Sequence, residues 1–107
     1  MPSFRALLNI LELHPGHRPE DVMDSATAAI GSAHLVEADH LDVVAGIPRI
    51  TVRFMVEAST DADEDEAACQ AAANMRHAVQ QVADVGRLGV MRRNRGRWEP
   101  VPGVSRG

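Results

Sequence analysis

Apolar and polar residues alternate without a break from Ile50 to Ala58. Ile50, Val52, Phe54, Val56 and Ala58 fall on one side; Arg49, Thr51, Arg53, Met55 and Glu57 fall on the other. A period of two is the mark of a strand buried on one face. Phe4–Leu13 behaves differently. Its two sets, Phe4, Ala6, Leu8, Ile10 and Arg5, Leu7, Asn9, Leu11, Leu13, are both largely apolar, as in a central strand covered on both faces. His14-Pro15-Gly16-His17 breaks that run. From Pro19 the period lengthens, and Val22, Ala26, Ala29, Ile30 and Ala33 line one helical stripe. Proline suits the first helical position, and Glu20 and Asp21 suit the positive end of the helix dipole.

Leu35–Val44 alternates imperfectly, which fits an edge strand, and Ala45-Gly46-Ile47-Pro48 reads as the turn after it. A second helix is expected from Asp61 to about Asp84, capped by Thr60 or Asp61 and stopped by Gly86. Its buried stripe is Ala68, Ala72, Met75, Val79 and Val82. Arg87–Arg93 reads as a fourth strand. After an Arg93-Asn94-Arg95-Gly96 turn, Arg97–Val101 reads as a short return strand, which Pro100 confines to an edge.

Strand, helix, strand, strand, helix, strand is the element order of the ferredoxin-like fold. The expected class is therefore α+β: a four-stranded antiparallel sheet with both helices on one face and a short C-terminal extra strand or hairpin. The far face of that sheet would carry Arg5, Leu7, Leu11, Leu13, Leu41, Thr51, Arg53, Met55 and Met91. That set is too apolar for a surface meant only for water. A homodimer is expected, with Leu7, Leu11, Arg53, Met55 and Met91 at its interface.

The length, 107 residues, gives room for one domain. Residues 1–100 are assigned to it and 101–107 to a loose C-terminal tail. Cys69 is the only cysteine, so neither an intramolecular disulfide nor a multi-cysteine zinc site is available. No apolar run reaches the roughly 20 residues that cross a bilayer, and the opening residues do not resemble a signal peptide. A cytoplasmic protein is expected. All eleven basic residues are arginine, which with the abundant alanine suggests a GC-rich, bacterial coding genome. Charge is uneven. Residues 1–86 hold five arginines against fourteen Asp and Glu, whereas residues 87–107 hold six arginines against Glu99 alone.

That basic segment is the most unusual feature. Arg92, Arg93, Arg95 and Arg97 are the candidates for holding an anion, because guanidinium forks match carboxylate and phosphate. The plainer alternative is that they pair with the chain's own acidic helices. A net charge of −4 opposes general nucleic-acid binding. Glu12, His14 and His17 have metal-ligand chemistry but no defined spacing. Asp61-Ala62-Asp63-Glu64-Asp65-Glu66 fails as a calcium loop, since its sixth and twelfth positions are Glu66 and Ala72. His34 and His40 stand about 20 Å apart along a strand. Cys69 reads as a packing residue. No nucleophile elbow and no glycine-rich phosphate loop is present.

The Pro15-Gly16 turn after the first strand resembles the one in ACT domains, regulatory modules that often bind amino acids at dimer interfaces. The outline is also similar to small dimeric α/β barrels, some of which are cofactor-free enzymes. The resemblance covers two residues and the element order, and it transfers no site residue. The residues favour a non-catalytic, cofactor-free homodimeric domain for binding, assembly or regulation, with room for a protein partner. The alternatives are a small cofactor-independent enzyme, or an anion or nucleic-acid binder acting through the C-terminal arginines.

Overall fold

The computed structural model describes residues 1–102. It is an α+β domain with two helices and a five-stranded antiparallel sheet. In chain order the elements are β1 (Ser3–Leu13), α1 (Pro19–Gly31), β2 (Leu35–Val44), β3 (Ile47–Met55), α2 (Asp61–Val79), β4 (Ala83–Asn94) and β5 (Arg97–Pro100). The strands lie in the order β2-β3-β1-β4-β5. The fifth strand makes the sheet one wider than the four expected; Arg97–Pro100 pairs with Met91–Asn94 along the outer edge of β4. No helix among the described residues is long and apolar enough to cross a membrane.

One core lies between the helices and the sheet. Phe4, Ala6 and Leu8 of β1 meet Ile50, Val52 and Phe54 of β3, and Leu88 and Val90 of β4, beneath Ala26, Ile30, Ala68, Ala72, Met75 and Val79. Phe4 and Phe54, directly paired across β1 and β3, stack with ring centroids 6.1 Å apart. The alanines of α2 let that helix approach the sheet closely.

The structure differs from the pattern-based expectation in the bounds of α2 and β4, in the facing of β1 and β2, and at Val101. Helix α2 ends at Val79, not near Asp84, and β4 begins at Ala83. Val82 keeps the helical spacing of Met75 and Val79, yet it is buried from the connecting turn, where its carbonyl accepts the His14 N–H at 2.9 Å. Gly86 does not stop a helix. It sits inside β4 at a register shift against β1, where a Cβ would meet the Leu11 side chain at 3.3 Å. A second shift at Leu11 reverses the alternation of β1. Leu13, expected on the far face, therefore packs against the core. A shift at Glu37 does the same to β2, so Leu41 pairs with the core-facing Ile50 and lies on the helix side. Val101, assigned to the tail, is buried and its N–H donates to the Val90 carbonyl at 2.8 Å; residues 103–107 lie outside the described residues.

Both hairpins close with two-residue loops in which both residues have positive φ: Ala45 (53°) with Gly46 (81°), and Arg95 (53°) with Gly96 (81°). This is the turn whose twist matches paired strands. Glycine takes it freely, but alanine does so at a cost of about 1 kcal/mol. Ala45→Asn should therefore raise stability by about 0.5–1 kcal/mol and the melting temperature by a few degrees, measured by thermal denaturation. An unchanged or lower melting temperature would contradict the strain.

Candidate functional site

The helices cover one face of the sheet and leave the other open. Register places Arg5, Leu7 and Asn9 of β1 on the open face. Beside them lie Arg49, Thr51, Arg53 and Met55 of β3, Gly89, Met91 and Arg93 of β4, and Trp98 and Pro100 of β5. Its two ends differ in chemistry.

One end is apolar. The β1–β3 ladder stops at Asn9 opposite Arg49, whereas β2 and β3 continue pairing to Val44 opposite Ile47. Pro48 has no N–H to offer the next rung of β1. The tip, residues 43–48, is thus a two-stranded arm with no third strand beside it, a form that is marginal in water by itself. It is nevertheless apolar: Val43 is 66% exposed, Val44 43% and Ile47 38%. Between this arm and β4–β5 runs an open trough of about 420 Å³, whose floor is Leu7, Asn9 and Gly89 and whose walls include Val44, Ile47, Met91 and Pro100. Gly89 leaves the floor bare, since nothing lies within 4 Å of the position its Cβ would take.

The other end is cationic. Trp98, opposite Arg93 on the neighbouring strand, has the Arg5 guanidinium carbon 4.0 Å from its ring centre, with those of Arg53 and Arg93 at 5.4 and 5.7 Å. These are cation–π distances. Arg53 Nε lies 3.4 Å from Glu37 Oε1, which also accepts the Ser3 hydroxyl hydrogen bond. Among the described residues, Arg5 and Arg93 have no carboxylate within 4.0 Å.

The four arginines proposed from sequence do not gather. Arg92 points to the helix side, where it bonds Asp65 at 2.9 Å, Asp61 at 3.2 Å and Glu64 at 2.6 Å. Its guanidinium is spent on the chain's own acidic helix. Arg93 is on the open face beside Trp98, Arg95 occupies the β4–β5 turn, and Arg97 is exposed on β5. Sequence reading missed that Arg5 and Trp98 belong with Arg93. Strand alternation separates Arg92 from Arg93, but only register joins Arg93 to Arg5.

The remaining candidates fall apart in space. His14 Nε2 meets Asp84 Oδ1 at 2.9 Å, and His17 lies against Asp21 at 3.5 Å, so neither joins Glu12 in a ligand set. No group of three or more His, Cys, Asp or Glu among the described residues is disposed to hold a metal. Burial, with Asp65 adding to it, pushes the Cys69 thiol above its ordinary value and keeps it protonated near neutrality. An apolar groove of about 650 Å³ opens where α1 meets the end of the sheet, lined by Ile10, Leu13, Val22, Met23, Leu41 and Ile50 among others. The His14–Asp84 pair is not part of its wall.

The hydrogen bond to Asp84 raises the His14 pKa above its ordinary value, with smaller help from the Gln81 backbone and the charges of Asp84 and Glu12. A raised pKa means the pair stabilises the fold fully below the unfolded value, and that contribution disappears as pH climbs through the folded one. An NMR titration should place the His14 midpoint above 6.5, and Asp84→Asn should lower it. Equal midpoints in both proteins would contradict the pairing.

No protein-family model, curated protein or solved structure matches this chain.

Proposed function

We propose that this chain is a small homodimeric domain for binding or assembly, built as a ferredoxin-like fold extended by one edge strand. The single observation behind this reading is the unsupported apolar arm beside an empty trough, mostly apolar but bordered by Arg49 and Arg87, on the same sheet face. In a two-fold pair, the arm of each protomer lies along the trough of the other. Such pairing uses one patch twice, as closed dimers do. Leu7, Leu11 and Met91 then sit with Val44 and Ile47 near the centre, and Arg53 and Met55 lie toward the rim.

Five aliphatic side chains per protomer would be covered. At about 1 kcal/mol for each partly exposed side chain, two protomers contribute on the order of 10 kcal/mol. Against the lowest association cost, about 4 kcal/mol, that leaves about 6 kcal/mol, a dissociation constant of tens of micromolar. Sedimentation velocity across the micromolar range tests it. The expected species has twice the 11.6 kDa chain mass. A single 11.6 kDa species at every concentration sinks the proposal.

Catalysis has weaker support. Among the described residues, the closest histidine–carboxylate pair, His14 with Asp84, is not part of the apolar groove, whose ionisable lining is Glu12, Glu20, Asp39 and His40.

A further inference from the structure

Arg5 and Arg53 are directly opposite each other on β1 and β3. Like charges in that relation destabilise a sheet. Arg93 adds a third guanidinium around the same indole ring. Among the described residues, only one carboxylate, Glu37, lies within 4.0 Å of any of the three, which leaves the cluster a net charge of two. Uncompensated breaches of a local rule tend to fall at functional sites. A hollow of about 260 Å³ opens beside the cluster, lined by Arg5, Arg53, Arg49 and Thr51. Arg49 and Asp42 pair with each other at 3.6 Å across it, each keeping one buried polar atom, Nε and Oδ1, without a hydrogen-bond partner. Asp39 and Asp42 of β2 also line this hollow, and Arg93 and Trp98 do not, so an anion belongs outside it, on the side of Arg5 that faces Trp98.

We infer that Arg5, Arg53 and Arg93, held around Trp98, form a binding site for a dianionic phosphate group, that of a phosphate monoester. Two net positive charges match a dianion better than a carboxylate or a phosphodiester, each of which carries one. Guanidinium forks supply paired donors to phosphate oxygens, and stacking on the indole holds Arg5 in place before the ligand arrives. The bound phosphate removes the repulsion between Arg5 and Arg53. Arg53 also stands at the rim of the pairing proposed above and Arg5 is directly opposite Met91, whereas Arg93 and Trp98 lie outside that interface, so the phosphate titrations are read on the parent and on the Gly89→Glu monomer alike.

The chain has one tryptophan and no tyrosine, so its intrinsic emission reports on Trp98 alone. Three probes are titrated at constant ionic strength: inorganic phosphate, adenosine monophosphate, and a single-stranded oligonucleotide without terminal phosphate. Isothermal calorimetry provides a second readout. Saturable binding of the first two with submillimolar dissociation constants is expected, and no saturable binding of the third. Binding of inorganic phosphate alone identifies the free ion as the source; stronger binding of the monophosphate identifies an organic ester. Arg5→Gln and Arg93→Gln should each weaken calorimetric binding at least tenfold while leaving the circular dichroism spectrum unchanged. The inference fails if chloride reproduces the emission change, if the oligonucleotide binds as tightly as the monophosphate, or if both folded variants bind phosphate as the parent does.

Discussion

Gly89→Glu should give a folded monomer. The substitution costs the isolated chain little, because Gly89 lies in regular strand conformation and nothing occupies the space its side chain would enter. Removing a glycine from a strand interior even favours the fold slightly. Within the trough, the new carboxylate has Arg49 and Arg87 as neighbours. In the proposed dimer, however, that space holds the partner's arm. A carboxylate there would be taken out of water against Val44 and Ile47, at a cost of several kcal/mol. The dissociation constant should rise at least a hundredfold, which corresponds to about 2.7 kcal/mol. Sedimentation should show the monomer at concentrations where the parent is dimeric, and the monomer's circular dichroism should be native. Undiminished dimerisation of a folded Gly89→Glu protein would place the interface elsewhere.

Arg92→Ala should lower the melting temperature by roughly 10 °C or more. Glu64 is only 5% exposed, and its carboxylate is held by two groups: the Ser59 N–H at 2.8 Å and the Arg92 guanidinium at 2.6 Å. Loss of Arg92 leaves a buried carboxylate with one donor, a costlier state than removal of both partners. It also uncovers Phe4, whose ring centre lies 5.3 Å from the Arg92 guanidinium carbon. Arg92→Met separates the two effects, because it keeps the aliphatic cover and removes the charge. The loss should depend on pH. The Ser59 N–H first, and Arg92 second, hold the Glu64 pKa below the ordinary glutamate value. A lowered pKa contributes stability above the unfolded value and loses it as pH falls through the folded one. Parent and Arg92→Ala should therefore differ most near neutrality and converge as pH falls through the folded Glu64 value. A difference in melting temperature of only about 2 °C near neutrality would show the network to be an exposed ion-pair set of little weight.

The fold was legible where a residue's neighbours along the chain determine its environment. The unbroken alternation Ile50–Met55 marks β3, and Pro19 with Glu20 and Asp21 marks the start of α1. Legibility ended where pairing across strands took over. Shifts at Leu11 and Glu37 insert one residue against a neighbouring strand, and each reverses the facing of everything beyond it. Nothing in a single sequence distinguishes such a residue from its neighbours, so Leu13 and Leu41 were placed on the wrong side. Val82 extended a helical stripe that the backbone had already left, and it carried the expected end of α2 with it. The same limit hid the cationic cluster. Arg5, Arg53, Arg93 and Trp98 come from four different strands, and their meeting is a property of register. The arginine run 92–97 is dense along the chain, whereas the structure divides it between two faces and a turn.

The rims of the sheet bear on how association would end. β5 is four residues long and terminates at Pro100, while β2 is kinked at Glu37 and carries Asp39 and Asp42 along its length. Short, bent or charged borders resist the addition of further strands. Copies that join through flat surfaces consume those surfaces in doing so, and neither border invites a third. Mass should accordingly level off with increasing concentration, and the solution should stay clear of fibrils.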